Sequence, residues 1–215
     1  MASRSTKDGQ PPIGGLAETF NRMKSVKRTG WLRRNLADVE SLADHSFGAF
    51  LLALLYLPAR NGHRFSKRKV MDMLLVHDLA EVFTGDIPTP EKRAADAEAE
   101  AVWFRFIGRL GQREGVADLR WVERLWREFE EGTSIDARIA RDLDRLDNLV
   151  QLHVYRRRGD VIRDFEAWRA RLHKVVRTPE GRRIRDLLET HFTGDRRIDP
   201  SRDPTQPSPT PSRAR

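Results

Sequence analysis

Apolar residues recur along this chain with a helical period over most of its length. They return every three or four positions, as on one face of a helix, and no stretch alternates with a period of two for long. Residues that form strands are not clustered. The pattern predicts an all-α fold, a single bundle of about seven or eight helices within residues 16–192.

Apolar stripes and capping residues predict the first three helices. The stripe of the first helix consists of Leu16, Phe20, Met23 and Val26. Ser41 can cap a second helix that runs to about Leu57, and Ser66 can cap a third that ends near Gly85.

Proline and glycine residues divide the rest of the bundle. Pro90 suits the first position of a fourth helix that reaches about Leu110. Further helices are predicted at residues 118–131, 135–156, 161–176 and 180–192, with gaps marked by Gly132, Gly159 and Gly181.

The two ends of the chain differ from the middle in composition. The last 16 residues contain five of the 11 prolines and no apolar residue larger than Ala. Such a segment cannot bury enough apolar surface to offset its chain entropy. We therefore predict disordered ends at residues 1–15 and 193–215, on either side of one domain at 16–192.

Composition also excludes several classes of protein. The chain has no Cys, which rules out disulfides, thiol nucleophiles and Cys-ligated metals. Its longest apolar run, from Phe47 to Leu57, is shorter than the roughly 20 residues of a membrane span. No apolar segment typical of a secretory signal occurs near Met1. We expect a cytoplasmic protein with no membrane partner.

The net charge of +8 comes from 40 Lys and Arg against 32 Asp and Glu. A basic protein attracts anions, and both nucleic acid and a small phosphorylated substrate are candidates. Most of the charges are interleaved by sign, as in RIARDLDRLD, which is typical of a solvated helix face. Nucleic acid is therefore not the favoured partner.

Three segments place metal-binding side chains on helices with apolar surroundings. They are His45, the pair His77-Asp78, and an acidic stretch with Asp142, Asp144 and Asp147. Periodicity alone does not choose among the three acids of that stretch. Glu81 follows Asp78 by three residues, which places it one helical turn further on, near the same centre.

Two imidazoles and two carboxylates suit one divalent cation such as Mn, Fe, Co, Ni, Zn or Mg. A bound divalent ion brings the pKa of water down toward about 7. A carboxylate outside the ligand set can orient that water or take its proton, and Glu81 and Asp86 are the candidates. This combination fits hydrolysis of a phosphate ester.

Several segments resemble the HD-domain phosphohydrolase superfamily and, more narrowly, its 5'-deoxynucleotidases. They are KRTGWLRRN, ESLADHS, LLVHDLAEVFTGDIPTPEKR, LWREFEEGTS and ARIARDLDRLDNLVQ. The resemblance covers most of residues 16–156. It implies a helical metal-dependent enzyme, typically a homodimer, that removes phosphate from deoxyribonucleoside 5'-monophosphates.

The resemblance also implies roles for individual residues. The metal ligands fall on His45, His77, Asp78 and Asp144. Glu81 and Asp86 match residues that position the attacking water. The substrate-binding positions are Arg28, Trp31, Arg34 and Lys92.

Two alternatives remain at this point. The same site can act on another phosphorylated small molecule, such as a nucleoside triphosphate or a phosphodiester. The chain can also be a basic helical module that binds nucleic acid and keeps a vestigial site. The remaining histidines, at 63, 153, 173 and 191, have no obvious partner motif, which favours one metal over two.

Overall fold

The computed structural model describes residues 15–59, 64–88, 91–115 and 119–194. The two ends predicted to be disordered lie outside these ranges, apart from residues 15, 193 and 194. All statements below refer to the described residues.

The described residues form an all-α fold, which confirms the predicted fold class. In chain order the helices are α1 (Leu16–Asn21), α2 (Thr29–Leu32), α3 (Leu42–Tyr56), α4 (Lys67–Val76), α5 (Glu81–Thr84), α6 (Ala94–Arg113), α7 (Arg120–Glu131), α8 (Ile135–Arg158), α9 (Phe165–Val175) and α10 (Pro179–Thr193). Seven of these have ten or more residues, and the short α1, α2 and α5 complete the set. A 3₁₀ turn at Arg22–Lys24 follows α1.

Side-chain caps begin two of the helices that carry the site. The Ser41 hydroxyl accepts a hydrogen bond from the backbone N–H of Asp44, and the Asp44 carboxylate accepts one from Ser41 N in return. Ser66 caps α4 in the same way through the N–H of Lys69. Each cap satisfies backbone donors that a helix start leaves free. Both predicted starts are therefore confirmed.

Two predicted boundaries near the site are wrong. The third helix does not continue to Gly85 but ends at Val76, and residues 77–80 form a turn before α5. The fourth helix begins at Ala94, because the carboxylate of Asp96 accepts a hydrogen bond from the N–H of Arg93 and fixes the start there. Pro90, which was predicted to begin it, lies outside the described residues.

Gly181 was predicted to mark a gap but lies in the first turn of α10. A Cβ at this position would lie 2.7 Å from Oδ2 of Asp142, so a side chain does not fit there. The glycine therefore serves the close approach of α8 to α10. Gly132 and Gly159 do end α7 and α8, both with positive φ.

The long helix α8 lies at the centre of the bundle. It packs against α3, α4, α7, α9 and α10, and α3 and α4 also pack against each other. Its fully buried apolar face includes Leu143, Leu146 and Leu149. A second apolar cluster joins α1, α5, α6 and α7 around Trp103, Phe104 and Trp126. Within the described chain, no helix has both the length and the apolar character that a membrane crossing requires.

Candidate metal centre

Three mutually packed helices bring two imidazoles and one carboxylate together. His45 comes from the first turn of α3, His77 from the end of α4, and Asp144 from α8. One donor atom of each lies within 4.8 Å of the others. Asp78 joins them, with one oxygen 3.2 Å from His77 Nε2 and the other 3.7 Å from His45 Nε2. The four predicted ligands therefore lie around one point.

The histidine rings are oriented so that Nε2 of each faces this point. Nδ1 of His77 lies 2.9 Å from the carbonyl oxygen of Leu74 and donates to it. That bond leaves Nε2 of His77 as the free acceptor, and this buried atom has no hydrogen-bond partner among the described residues. A buried polar atom without a partner is costly, and a cation in the cluster would satisfy it. The donor set therefore fits a divalent metal ion.

The charges of the cluster are strongly coupled. Burial and the nearby Arg28 lower the pKa of His45, but hydrogen bonds with Asp144 and Asp147 outweigh them and raise it to about 10. Burial alone would raise the pKa of Asp144, yet the hydrogen bond and charge of His45 hold it well below its usual range. Asp144 is therefore a carboxylate at neutral pH, as a metal ligand must be.

The three acids of α8 have three different surroundings. Asp144 faces the two histidines. Asp142 is buried on another side of the helix and accepts hydrogen bonds from Thr178 N and Oγ1, both at 2.7 Å, at the start of α10. Asp147 accepts a hydrogen bond from Nδ1 of His45 at 2.8 Å. Only Asp144 is placed to be a ligand beside both histidines.

Glu81 and Asp86 both lie beside the candidate ligands, but they differ in their hydrogen bonding. Oε2 of Glu81 is buried with no hydrogen-bond partner in the described chain. Burial raises the pKa of Glu81 well above its usual range, the charge of Asp78 adds to this, and Arg28 opposes it. Asp86 is fully engaged instead, because its two oxygens accept from Arg28 and from Thr29 N, each at 2.6 Å.

Arg28 contacts three carboxylates in and beside the candidate metal site. Its guanidinium lies 3.0 Å from Asp78 Oδ2, 2.6 Å from Asp86 Oδ1 and 4.0 Å from Glu81 Oε2. These three carboxylates hold the pKa of Arg28 far above its usual value although burial opposes them. The arginine is thus held directly beside the candidate metal ligands.

The other predicted substrate residues contact carboxylates or the core. Trp31 is buried, donates its indole N–H to Glu40 at 2.7 Å and packs against Trp168 with ring centroids 4.2 Å apart. Arg34 pairs with Asp164, and its guanidinium lies 3.7 Å from the Trp168 ring centroid. Lys92 lies 2.8 Å from Glu100 and 3.3 Å from Glu130.

A cavity of about 590 Å³ opens beside the cluster and collects these residues. Its lining includes every predicted site residue except His45, which lies behind it: Arg28, Trp31, Arg34, His77, Asp78, Glu81, Asp86, Lys92 and Asp144. The cavity is large enough for a small ligand of nucleotide size.

The cavity lining also contains residues that were not predicted from the sequence, among them Arg141, Asn148, Trp168 and Arg171. Among the described residues, no carboxylate pairs with Arg141; its guanidinium donates a hydrogen bond to the carbonyl oxygen of Glu130 at 3.4 Å and packs over Gly132. Its position three residues before Asp144 places it on the same helix face, and that spacing could have identified it. Trp168 and Arg171 lie on α9, where the sequence carries no comparable signal.

Comparison with known proteins gives a consistent picture. A family model described as HD domain matches residues 20–187. The 5'-deoxynucleotidase HDDC2 of Danio rerio is 32% identical over 62% of this chain. The chain covers 64% of the length of that relative. The 5'-deoxynucleotidase hdd1 of Schizosaccharomyces pombe is 26% identical over 74% of this chain and 82% of its own length.

Solved structures share the fold. The PH0347 protein of Pyrococcus horikoshii superposes with a TM-score of 0.64 at 27% identity, over 80% of this chain and 94% of its own. A cyanophage S-2L HD phosphohydrolase, solved with dA and one catalytic Zn²⁺ ion, superposes with a TM-score of 0.53 at 20% identity, over 84% of this chain and 95% of its own.

Proposed function

Since this chain belongs to the HD-domain family, we propose that it is a metal-dependent phosphohydrolase that removes phosphate from deoxyribonucleoside 5'-monophosphates. The observation that carries the proposal is the cluster of His45, His77, Asp78 and Asp144, three of them buried, beside a nucleotide-sized cavity. The relatives named 5'-deoxynucleotidase support this substrate class.

One divalent cation is the proposed cofactor, held by His45, His77, Asp78 and Asp144. When bound, such an ion supplies a Lewis acid for the phosphoryl oxygens and makes water more acidic. The protein's contribution is to hold the four donors in place on α3, α8 and the turn after α4.

Glu81 is the proposed acceptor of the proton from the attacking water. Its buried, unpartnered oxygen is available for that bond, and burial raises the pKa of this carboxyl, which increases its affinity for a proton. In the net reaction the water oxygen bonds to phosphorus and the bond from phosphorus to the 5' oxygen breaks. The proton ends on the 5' oxygen of the leaving deoxynucleoside.

Arg28 and Arg141 are the proposed contacts of the phosphate. Arg28 already lies 3.0 Å from Asp78, and Arg141 has no carboxylate partner among the described residues. A guanidinium binds a phosphate through two parallel hydrogen bonds. The sequence assigned Asp86 to the attacking water, but its contacts with Arg28 and Thr29 better support a role in holding Arg28.

The remaining substrate positions form the wall of the cavity. Because Trp31 is buried behind Trp168, we propose that it acts on the sugar or base mainly through that ring, with Arg34 lying over its face. Lys92 lines the cavity, and we propose that its ammonium group exchanges its ion pair with Glu130 for a contact with an anionic ligand.

A homodimer in the cytoplasm is the proposed form of the protein. The support for the dimer is an exposed apolar stripe on α3, where Phe47 is followed seven and eight positions later by Leu54 and Leu55.

The test is a phosphate-release screen. It compares ribo- and deoxyribonucleoside mono-, di- and triphosphates, together with a phosphodiester, across several divalent ions and with a chelator. We expect release from deoxyribonucleoside 5'-monophosphates that the chelator abolishes. A preference for triphosphates or diesters would contradict the substrate class. Salt-sensitive duplex binding without any hydrolysis would support the nucleic-acid alternative instead.

The matched variants are Asp78→Ala and Asp72→Ala. Asp78→Ala removes a ligand and its charge, and we expect a loss of at least ~100-fold, since changes outside the ligand sphere alone cost 10–100-fold. Asp72 pairs with Arg68 on the exposed side of α4 and serves as the control. Activity of Asp78→Ala close to that of the wild type, with metal in excess, would refute the ligand assignment.

A further inference from the structure

We propose that Asp147 is a positioning residue that fixes the ring of His45, so that Nε2 of His45 faces the cation. The inference rests on the metal site of the proposed function. Asp147 lies outside the proposed ligand set, and Gly48 leaves the space that its contact with His45 requires.

The first observation is the contact itself. Nδ1 of His45 and Oδ2 of Asp147 are 2.8 Å apart, and both side chains are buried. Nε2, on the opposite side of the same ring, lies 3.0 Å from Asp144. A bond at one ring nitrogen fixes both the tautomer and the direction of the other nitrogen. A carboxylate partner also makes the imidazole a stronger metal donor.

The second observation is the space above Gly48. This residue follows His45 by three positions and therefore lies on the same face of α3. A Cβ here would lie 2.2 Å from Oδ1 of Asp147 and 3.0 Å from its Cγ. A glycine inside a helix costs roughly 1 kcal/mol relative to Ala. The close approach of the Asp147 carboxylate explains why a glycine occupies this helical position despite its lower helix stability.

A second cation at this position does not fit the contacts. Glu40, His45 and Asp147 place donor atoms within 4.8 Å of one another. However, Asp147 already contacts Nδ1 directly at 2.8 Å, and Glu40 accepts from Trp31 at 2.7 Å. Both contacts are hydrogen bonds, and a ring nitrogen that donates a hydrogen bond has no lone pair left for a metal ion. The arrangement therefore supports orientation of His45 and not a second metal.

The test measures metal affinity directly, by competition with a chromophoric chelator, so that it does not depend on the substrate. Mn²⁺ and Zn²⁺ are the probes. We expect Asp147→Ala to weaken binding by about 10–100-fold. Asp147→Asn should lose less, because its carbonyl oxygen can still accept from Nδ1, and its near-identical shape protects against misfolding. One metal per chain should remain the stoichiometry.

A matched control separates orientation from general loss of packing. Leu152→Ala removes a fully buried side chain on the same helix, two turns beyond Asp144. It should lower the melting temperature and leave the metal affinity within about twofold. Equal affinity losses in Leu152→Ala and Asp147→Ala would overturn the proposal, because the effect would then be structural.

Gly48 gives an independent variant that leaves the carboxylate in the chain. Gly48→Ala should displace Asp147 and weaken metal binding as Asp147→Ala does. The double variant should be no weaker than the single ones, since removing the carboxylate also removes the clash. Additive losses would contradict an action of Gly48 through Asp147.

The outcomes distinguish this inference from the proposed function. A wild-type protein that binds no divalent ion would contradict both. Tight binding by the wild type and unchanged binding by all Asp147 and Gly48 variants would overturn the positioning role alone. Two metals per wild-type chain, falling to one in Asp147→Ala, would also overturn it and identify a second ion site.

Discussion

At the scale of single residues, Glu81 has the most unusual surroundings. Its carboxylate is buried beside Asp78, one oxygen lacks a hydrogen-bond partner in the described chain, and Arg28 approaches it only to 4.0 Å. A buried carboxylate without close partners costs stability. Because Glu81 destabilises the fold and lies next to the candidate metal ligands, it is suited to proton transfer and not to a structural role.

Glu81→Gln should therefore separate metal binding from turnover. The amide has the shape of the carboxylate but cannot take a proton, so we expect kcat to fall by ~10²–10⁴ with metal content unchanged. KM should change little, and the free energy of unfolding should not decrease. Steady-state kinetics and metal analysis of the purified variant measure these quantities. Glu128→Gln, at the contact of α7 with Lys69, is the control. Loss of the metal in Glu81→Gln would make Glu81 a ligand.

Residue types and short motifs were sufficient to predict the candidate ligands but not their neighbours. His77-Asp78 and its apolar surroundings indicated a metal site from the sequence. The separate roles of Asp142 and Asp147 depend on contacts with residues 36 and 102 positions away. Spacing within one helix cannot show such contacts. Among the three acids, only the family motif could select Asp144.

At the scale of elements, helix positions were more predictable than helix ends. Capping by Ser41 and Ser66 is a local property, and both starts are confirmed. The break after Val76 depends on tertiary contacts, because it allows His77 and Asp78 to meet His45 of α3. Gly181 was misassigned since its glycine is required by Asp142 of α8 and not by a turn.

The junction of α8, α9 and α10 contains a partly buried ionic cluster outside the metal centre. Glu189 of α10 accepts hydrogen bonds from Arg169 and His173 of α9, and His153 of α8 lies 3.5 Å from it. Burial alone would raise the pKa of Glu189, but Arg169 and His173 outweigh it and lower the pKa to about 2. The ionised carboxylate therefore stabilises the packing of α10.

Glu189→Gln should destabilise the protein in a pH-dependent way. Because the folded-state pKa is depressed, the contribution is present above about pH 4.5 and is lost as the pH falls toward 2. At pH 7 we expect a loss on the order of 2–3 kcal/mol in the free energy of unfolding. Urea denaturation between pH 7 and pH 3 should show the difference from wild type shrinking with acidity. Asp186→Asn, on the exposed side of α10, is the control. A difference that stays constant with pH would contradict the ionic explanation.

At the scale of the whole molecule, the candidate metal ligands lie where α3, α4 and α8 meet, and the outer face of α3 is exposed among the described residues. The inner face of α3 carries His45 and Gly48 toward α8, while Phe47 and Leu55 are 57% and 70% exposed. Neighbouring large apolar side chains on a surface are typical of an interface between proteins. The homodimer was predicted from the family resemblance, together with the apolar content of several helices, and this exposed face of α3 is the proposed interface.

Leu55→Glu should convert the proposed dimer to a monomer. Two carboxylates near a twofold axis would repel each other, and burying either of them costs free energy, so the interface should be lost. Light scattering after size exclusion should give twice the chain mass for the wild type and one chain mass for the variant. Metal affinity should stay unchanged, because His45 lies on the opposite, buried side of α3 and faces the interior of the bundle. Val161→Glu, at a site 79% exposed beyond α8, is the matched control and should remain dimeric. A monomeric wild type, or dissociation by both variants alike, would contradict α3 as the dimer surface.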